Sequence, residues 1–299
     1  MKNNPLVSIV IDNYNYGQFL RDAINSALNQ SYGQVEIIAV DDGSTDDSRE
    51  IIASYGDKII PVLKENGGQA SAFNAGFDAS NGELICFLDS DDILMPEKVA
   101  EIVTVFECYP DIGWCFHPLR LVNELGRELT EIRTARCPSG QRDFRAYIQS
   151  GKRRFSHPAT SGLCFSRSLL KLILPMPEAI TITSDNYLKF AAFYLERGFF
   201  MERQLALQRI HANNAYTLRT DKPQLRARVD IIIAYWLKIK FPNLKKFTNK
   251  LFAEGVGTYW QCGGVETEYR NLANSYWELL ALSEKLEVLI RCLYHRLKG

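Results

Sequence analysis

The chain has 299 residues and is 46% hydrophobic, 11% aromatic and 23% charged. These are the proportions of a folded globular protein, and they exclude disorder and fibrous repeats. Thirty-five Lys/Arg offset 35 Asp/Glu, so the overall balance gives no argument for nucleic acid or an anionic membrane as the main partner, and leaves open a local patch. The longest apolar runs, such as 231–237, fall far short of the roughly 20 residues that span a bilayer. The N-terminus has no signal-cleavage pattern, and the expected location is the cytoplasm. Seven single cysteines without C-x-x-C spacing read as reduced thiols, mostly small core residues. The length allows one large domain, or one domain with a smaller appendage.

In chain order, the first hundred residues alternate short β-branched runs with helix-period segments, the pattern of a parallel sheet with crossover helices. Strands are expected at Leu6–Ile11, Val35–Val40, Lys58–Leu63 and Leu84–Leu88. Ser44–Asp47 supplies a helix cap and first-turn acids, and Pro96 suits the opening turn of a helix over Glu97–Tyr109. Each strand then ends in a polar loop on one edge, so loops 12–17, 41–45, 64–69 and 89–95 should converge on one site. Residues 111–165 are less regular, with strands expected at Gly113–His117 and Leu163–Phe165. Between them lies a basic interval (Arg133, Arg136, Arg142, Arg145, Lys152, Arg153, Arg154), read either as a solvated loop or as a cover for an anionic substrate. After about residue 215 helical patterns take over: Lys222–Lys240, Leu244–Glu254 and Glu266–Leu297, punctuated by Pro242 and by Gly255, Gly257, Gly263 and Gly264. The domain reading is 1–215, with halves 1–97 and 98–215, followed by a helical region 216–299. The apolar face of the last segment, Leu286–Leu297, flanked by Lys285, Arg291, His295, Arg296 and Lys298, suits packing on the main domain or a second copy. A peripheral membrane contact at the inner face is the other reading.

Two acidic runs, Asp41-Asp42 and Asp89-Ser90-Asp91-Asp92, directly follow apolar strands. Several carboxylates at one sheet edge are unfavourable unless a positive charge arrives, and a divalent cation is the natural candidate. Mg²⁺ and Mn²⁺ bind through one or two carboxylates plus substrate phosphates. The loop after the first strand, Asp12-Asn13-Tyr14-Asn15-Tyr16-Gly17, is not a G-x-G-x-x-G turn, and no G-x-x-x-x-G-K-[S/T] run occurs, which disfavours a dinucleotide oxidoreductase or P-loop kinase. Tyr14 could stack on a nucleobase and Asp42 accept from a base N–H; the same residues would serve equally as core packing and a helix cap.

Four ordered runs carry a resemblance: Val7–Asn15, Val40–Asp46, Asn66–Gly76, and Phe87–Asp92 with Pro96. Together they resemble the family 2 glycosyltransferases. That resemblance implies an α/β GT-A fold, a mostly parallel nucleotide-binding sheet flanked by helices, here with a C-terminal helical appendage. It further implies an inverting transferase that uses a nucleotide-diphosphate sugar, a UDP-sugar being favoured, with Mn²⁺ or Mg²⁺. By position, Tyr14 and Asp42 would hold the base, Asp89 would lie near the ribose or donor sugar, and Asp91 would bind the metal. Asp12, Gly68, Gln69, Asn74 and Ser90 complete the donor set. The chain departs from the family's pattern at Asp12, where Pro or Thr is usual, and at Phe73, where Arg is usual.

In the second half, Thr183–Leu188 followed by Glu196–Phe199 is similar to the family's acceptor segment, where an acid opens a helix and serves as catalytic base. Asp185 takes that role by resemblance, with Ser184 in place of the usual Glu. By itself Asp185 is equally an acid favoured by a helix N-terminus. Arg209–Asn214 resembles the segment that brings a histidine to the metal, which nominates His211. Gly162, Ser184 and Asp92 are assigned to the acceptor, expected to be a glycan or a polyprenyl-linked saccharide. The rival readings are a nucleotidyltransferase and a non-catalytic carbohydrate-binding or nucleotide-sugar-binding subunit.

Overall fold

The structure, a computed structural model, describes residues 4–129, 138–153, 155, 158–212, 214 and 219–298. The expectations for Arg133, Arg136, Cys137, Arg154 and His157 lie outside the described residues. The chain forms two compact units, Met1–Asp143 with Phe155–Asn213, and Phe144–Arg154 with Asn214–Gly299.

The first unit is built on strands β1 (Val7–Asn13), β2 (Val35–Asp42), β3 (Ile60–Lys64), β4 (Leu84–Asp89), β5 (Ile93–Leu94), β6 (Trp114–Phe116), β7 (Arg120–Asn123), β8 (Gly140–Arg142), β9 (Leu163–Ser166), β10 (Gly198–Phe200) and β11 (Ala206–Ile210). Eight of them form one sheet in the order β3-β2-β1-β4-β9-β6-β10-β8, and β5-β11-β7 form a small second sheet. β3, β2, β1 and β4 are mutually parallel, whereas β9 runs antiparallel to both β4 and β6. β1 and β4 are buried on both faces, which is why they read as continuous apolar runs rather than as alternation. The expected strands are present, shifted by one to two residues. The third begins at Ile60 because Gly56–Lys58 forms a single 3₁₀ turn.

The helices of this unit are α1 (Gly17–Leu28), α2 (Ser48–Ala53), α3 (Gln69–Ala79), α4 (Lys98–Cys108), α6 (Arg167–Ile173) and α7 (Asp185–Leu195); α5 (Arg145–Gln149) belongs to the second unit. One sheet face is aliphatic, where Ile9, Ile11, Ile37, Cys86 and Leu88 pack with Leu20 and Ile24 of α1 and Ile102 and Phe106 of α4. Aromatic rings characterise the other face: Phe73 of α3 lies 4.5 Å from Phe87, and Trp114 lies 5.1 Å from Phe193 of α7. Burial of each such side chain contributes roughly 1.5–3 kcal/mol. Cys86, Cys164 and Cys115 stand in register across β4, β9 and β6 as buried free thiols.

The second unit holds α8 (Lys222–Lys240), α9 (Lys245–Gln261), α10 (Thr267–Glu278) and α11 (Leu282–Lys298) besides α5. Three sequence expectations need correction here. Residues 144–154, placed with the acceptor half, pack in this unit: Ile148 is fully buried, and Arg153 pairs with Glu254 and Asp230. The single helix expected over 266–297 is two helices, because Glu284 turns back to accept from the Ala281 N–H at 3.0 Å and starts a new one. Gly255 and Gly257 do not end a helix. They sit inside α9, where a Cβ at Gly255 would lie 2.8 Å from the Ala227 carbonyl and one at Gly257 2.6 Å from His295 Cβ and 2.8 Å from the Cys292 carbonyl. They admit α8 and α11 at close range. Gly257→Val should therefore force α9 and α11 apart and destabilise the protein by about 1–3 kcal/mol, measured as a lower urea midpoint, with Gly257→Ala less affected.

Candidate active site

Strand register creates the site. β1 and β4 pair so that Asp12 lies beside Asp89, and β1 and β2 so that Asn13 lies beside Asp41. Neighbours across a parallel ladder project to the same face, so the last residues of three apolar strands deliver their polar groups to one edge. Side chains then fasten the loops together. Asn13 Nδ2 donates to Asp41 Oδ1 and to Ser44 Oγ, both at 3.2 Å, and Asn15 Oδ1 accepts from the Thr45 N–H at 2.7 Å. Asp46 accepts from the backbone of Gly17 at 2.9 Å and of Ser48 at 3.0 Å, capping α1 and α2 with one carboxylate.

Asp42 ties β2 to the 64–68 loop: it accepts from Lys64 Nζ at 2.6 Å and from the Gly67 and Gly68 N–H groups at 3.0 and 2.7 Å. Gly68 can present that N–H because it adopts φ +83 with its Cα against Thr181, where a Cβ would meet backbone at 2.8 Å. Gln69 is the hub. Its Nε2 reaches Asp12 and Asp89, each at 3.4 Å, and its Oε1 accepts from the Ser184 N–H at 3.0 Å.

The resulting pocket is strongly acidic. Asp12 and Asp89 keep some contact with open space, yet enough protein surrounds them that burial dominates their ionisation. Burial, with the Asp91 charge adding to it, pushes Asp12 up to about 7. Burial followed by the charges of Asp12, Asp92, Asp91 and Asp185 raises Asp89 well above the usual carboxylate range. Burial and Asp91 do the same to Asp92. The carboxylates of Asp89, Asp91 and Asp92 each bring one oxygen within 4.8 Å of the others, a set of hard donors suited to one divalent cation. Asp12 Oδ1, Ser90 Oγ and Thr183 Oγ1 are buried without a hydrogen-bond partner, which costs about 1–3 kcal/mol each unless a ligand satisfies them. The donor set and the orphaned oxygens both fit a cation with a polar ligand.

Other segments brace the acid loop. Asp92 accepts from Ser161 Oγ at 2.6 Å and from the Arg209 N–H at 3.0 Å. The Ser161 carbonyl accepts from the fully buried Lys98 Nζ at 2.7 Å. Arg209 Nε donates to the Asp91 carbonyl and its Nη2 to Asp22, while its guanidinium lies 4.7 Å over the Phe19 ring. β11 thereby carries His211 to the pocket, where Nε2 lies 3.0 Å from Asp91 Oδ2 and the ring packs on Phe19 at 4.7 Å.

Asp185 opens α7 and is 8% exposed. Lys189, one turn later and 2% exposed, donates to Asp185 Oδ2 at 2.5 Å and to the Pro158 carbonyl at 3.0 Å. Just before it, Thr183 holds φ 51, a left-handed conformation that β-branched residues avoid and that concentrates at functional sites.

The structure brings Asp12, Gln69, Asp89, Ser90, Asp91, Asp92 and His211 together, with Asp185 close enough for its charge to act on Asp89. Asp42 and Gly68 form the wall toward β3, and Tyr14 stands exposed at the end of β1. Two residues are otherwise committed. Asn74 exchanges two 2.8 Å hydrogen bonds with the Met176 backbone, and Gly162 fits against the His117 carbonyl where a Cβ would lie at 2.3 Å. Asp92 stands in the acid cluster while its oxygens accept from Ser161 and Arg209. Ser184 donates its hydroxyl to the Ile180 carbonyl. Lys64, Lys98, Ser161 and Lys189 escaped the sequence reading. Only Lys189 left a signal there, an acid–base pair at i,i+4 on a helix.

Residues 8–169 match the family model for glycosyl transferase family 2. The chain is 36% identical over 213 residues to the glycosyltransferase alr2836 of Nostoc sp., covering 70% of this chain and 66% of that one. It is 31% identical over 256 residues to the glycosyltransferase RP339 of Rickettsia prowazekii, covering 80% and 75%. Among solved structures it is similar to S. aureus TarS 1-349 in complex with UDP-GlcNAc, with a TM-score of 0.64 at 16% identity over 90% of this chain and 79% of that one. It is also similar to the mannosyltransferase PcManGT from Pyrobaculum calidifontis in complex with GDP-Man and Mn²⁺, with a TM-score of 0.55 at 17% identity over 99% and 88%. The fold is that of the GT-A glycosyltransferases. The chain belongs to glycosyl transferase family 2.

The ionisation of this pocket gives a pH-dependent prediction. A protonated Asp12 stabilises the fold fully below about 3.8, its ordinary value, and that stability is lost as pH rises through about 7. A cation bound at the pocket favours the ionised carboxylates and opposes the loss. Millimolar Mn²⁺ should therefore raise Tm more at about pH 8 than at about pH 5, read by differential scanning fluorimetry; equal shifts at both values would contradict this.

Proposed function

We propose that the protein moves a sugar from a nucleotide-diphosphate donor, with a UDP-sugar favoured, to a hydroxyl of a glycan or lipid-linked acceptor with inversion at the anomeric carbon. One observation carries this reading: the edge loops of four parallel strands and the first residue of α7 meet at one acidic pocket, with Asp185 across from the Asp89–Asp92 loop. The sugar nucleotides held by TarS and PcManGT support the donor class.

In this reading Tyr14 and the β2 end with Asp42 receive the base, and Gln69, Asp12, Asp89 and Ser90 receive the ribose and sugar. A divalent cation held by Asp89, Asp91 and Asp92, with His211 beside Asp91, would supply Lewis-acid stabilisation of the departing diphosphate. A sugar hydroxyl is a poor nucleophile at neutral pH, so attack gains from a carboxylate that takes its proton as the bond forms. Asp185 serves as that base. Lys189 occupies Oδ2 and fixes the carboxylate plane, leaving Oδ1 to accept the proton. Base and leaving group on opposite sides of the sugar give inversion.

Loss of a positioned base costs about 10²–10⁴-fold, so Asp185→Asn should lower kcat by that amount while the donor Kd, read by calorimetry, stays within about twofold. Asp91→Asn should abolish the Mn²⁺ dependence of donor binding. Release of a nucleoside diphosphate and an inverted anomeric signal by NMR are expected; pyrophosphate release or a retained configuration would refute the assignment. Lys189→Met should lower kcat about 10- to 100-fold with the donor KM little changed, since it misplaces the base without touching the donor, and Lys189→Arg should recover most of that loss. A parallel fall in donor affinity, or no recovery with arginine, would make Lys189 a packing residue only.

A further inference from the structure

The zero net charge of the chain conceals a division. Residues 144–154 and 214–299 contain 18 Lys/Arg against 8 Asp/Glu, and the remainder contains 17 against 27, so the helical unit is formally +10 and the sheet unit −10. This is the local patch that the overall balance left open: the charge argument for an anionic partner is confined to one unit.

A second feature lies in the same unit. Of the 15 large hydrophobic side chains exposed among the described residues, eight fall within 279–297. Val288 and Cys292 bury one face of α11, and α9 packs against the helix. Leu282, Leu286, Leu289, Ile290, Leu293 and Leu297 fall on the other side and are 40–86% exposed. At 100° per residue those six occupy an arc of about 100°, the width of a buried helix face, and their exposed area is on the order of 600–700 Å², above the usual largest patch of a monomer. Lys285 and Arg296 border the arc on one side. On the far side Arg291 is paired with Glu287 at 2.9 Å, and the charges of Arg291, Glu287 and Lys246 all act on Lys250. Leu289 continues the stripe into a cavity of about 430 Å³ lined by Trp260 and Trp277, side chains that favour the level of lipid headgroups.

We propose that α11 lies on an anionic lipid surface, with its leucine stripe among the acyl chains and the flanking cations at the phosphates. The charge chooses this occupant over a second copy of the chain. Two copies paired through α11 would bring two +10 units face to face, whereas an anionic surface attracts each one. No described helix is long and apolar enough to cross a membrane, and the one-sided stripe fits a helix lying in the interface plane.

Flotation of the full chain with vesicles tests this independently of glycosyl transfer. Vesicles of phosphatidylcholine mixed with phosphatidylglycerol should carry the protein, and added salt should release it. The variant Leu282→Glu/Leu286→Glu/Ile290→Glu should lower the partition coefficient by about tenfold or more with unchanged circular dichroism and Tm. Lys285→Glu/Arg296→Glu, which leaves the stripe intact, should weaken binding to the anionic vesicles selectively. Failure of the wild-type chain to float with phosphatidylglycerol, or equal flotation of the triple variant, overturns the proposal. So does a wild-type dimer in light scattering that the triple variant converts to monomer without any vesicle binding, since a second copy then covers the stripe.

Discussion

The crowding of carboxylates at one sheet edge is the constraint around which the first unit is arranged. It begins with the parallel register that seats Asp12 beside Asp89 and is completed by Asp91, Asp92 and Asp185. Like charges so placed, in surroundings that keep water away, resist ionisation, and burial first, with the neighbouring carboxylate charges adding to it, raises three of the acids. Such an edge persists only if the surrounding packing supports it, and the aliphatic face under α1 and α4 and the aromatic face under α3 and α7 provide that support. A pocket that disfavours its own ionised state in isolation gains most from a cation bound among its acids.

The fixed cations around the pocket are placed so as to brace the acids without filling the centre. Lys98 neutralises no carboxylate by direct contact. It holds the Ser161 carbonyl, and Ser161 in turn holds Asp92 and the Asp89 N–H. Burial lowers the lysine's affinity for its proton, so its value to the fold lies in this hydrogen bond together with the nearby Asp92 charge. Arg209 Nε reaches the Asp91 carbonyl, and His211 Nε2 lies 3.0 Å from the Asp91 carboxylate. Lys64 acts on Asp42, on the wall rather than the floor. The pattern resembles a frame of positive groups around a negative centre.

Much of this was legible in the sequence for a definite reason. Apolar strands ending in Asp-rich loops must bring those loops to one edge, so β1, β2 and β4 and the gathering of Asp12, Asp42, Asp89 and Asp91 follow from local pattern plus one rule of sheet topology. What was not legible depends on partners far apart in sequence. Lys98 and Ser161 are 63 residues apart, and nothing near either announces the contact. Gly255 and Gly257 looked like helix ends because glycine's usual role is local, whereas here it is the approach of Ala227 and Cys292 that requires them. The overall balance left a local patch open but could not locate it, because a sum over the chain discards position. Asn74 shows the opposite failure: its place in a recognisable run suggested donor contact, yet its amide clamps α3 to the segment at Met176.

The entry to α7 joins these strands of argument. Gln69 holds the Ser184 N–H with one end of its amide and faces Asp12 and Asp89 with the other, so the acids at the ends of β1 and β4 and the residue that precedes α7 share a single link. Thr183 is forced into its left-handed conformation at that link, and Lys189 fixes Asp185 one residue beyond Ser184. In the proposed role Asp185 would take a proton from the attacking hydroxyl, and a base in that role cannot wander by an ångström without a large loss of rate. Here its position is set by a hydrogen bond from behind, an ion pair from the helix beneath and a strained residue in front. A helix that merely favoured an acid at its N-terminus would need none of the three, and together they are what the proposed role of Asp185 as base draws on.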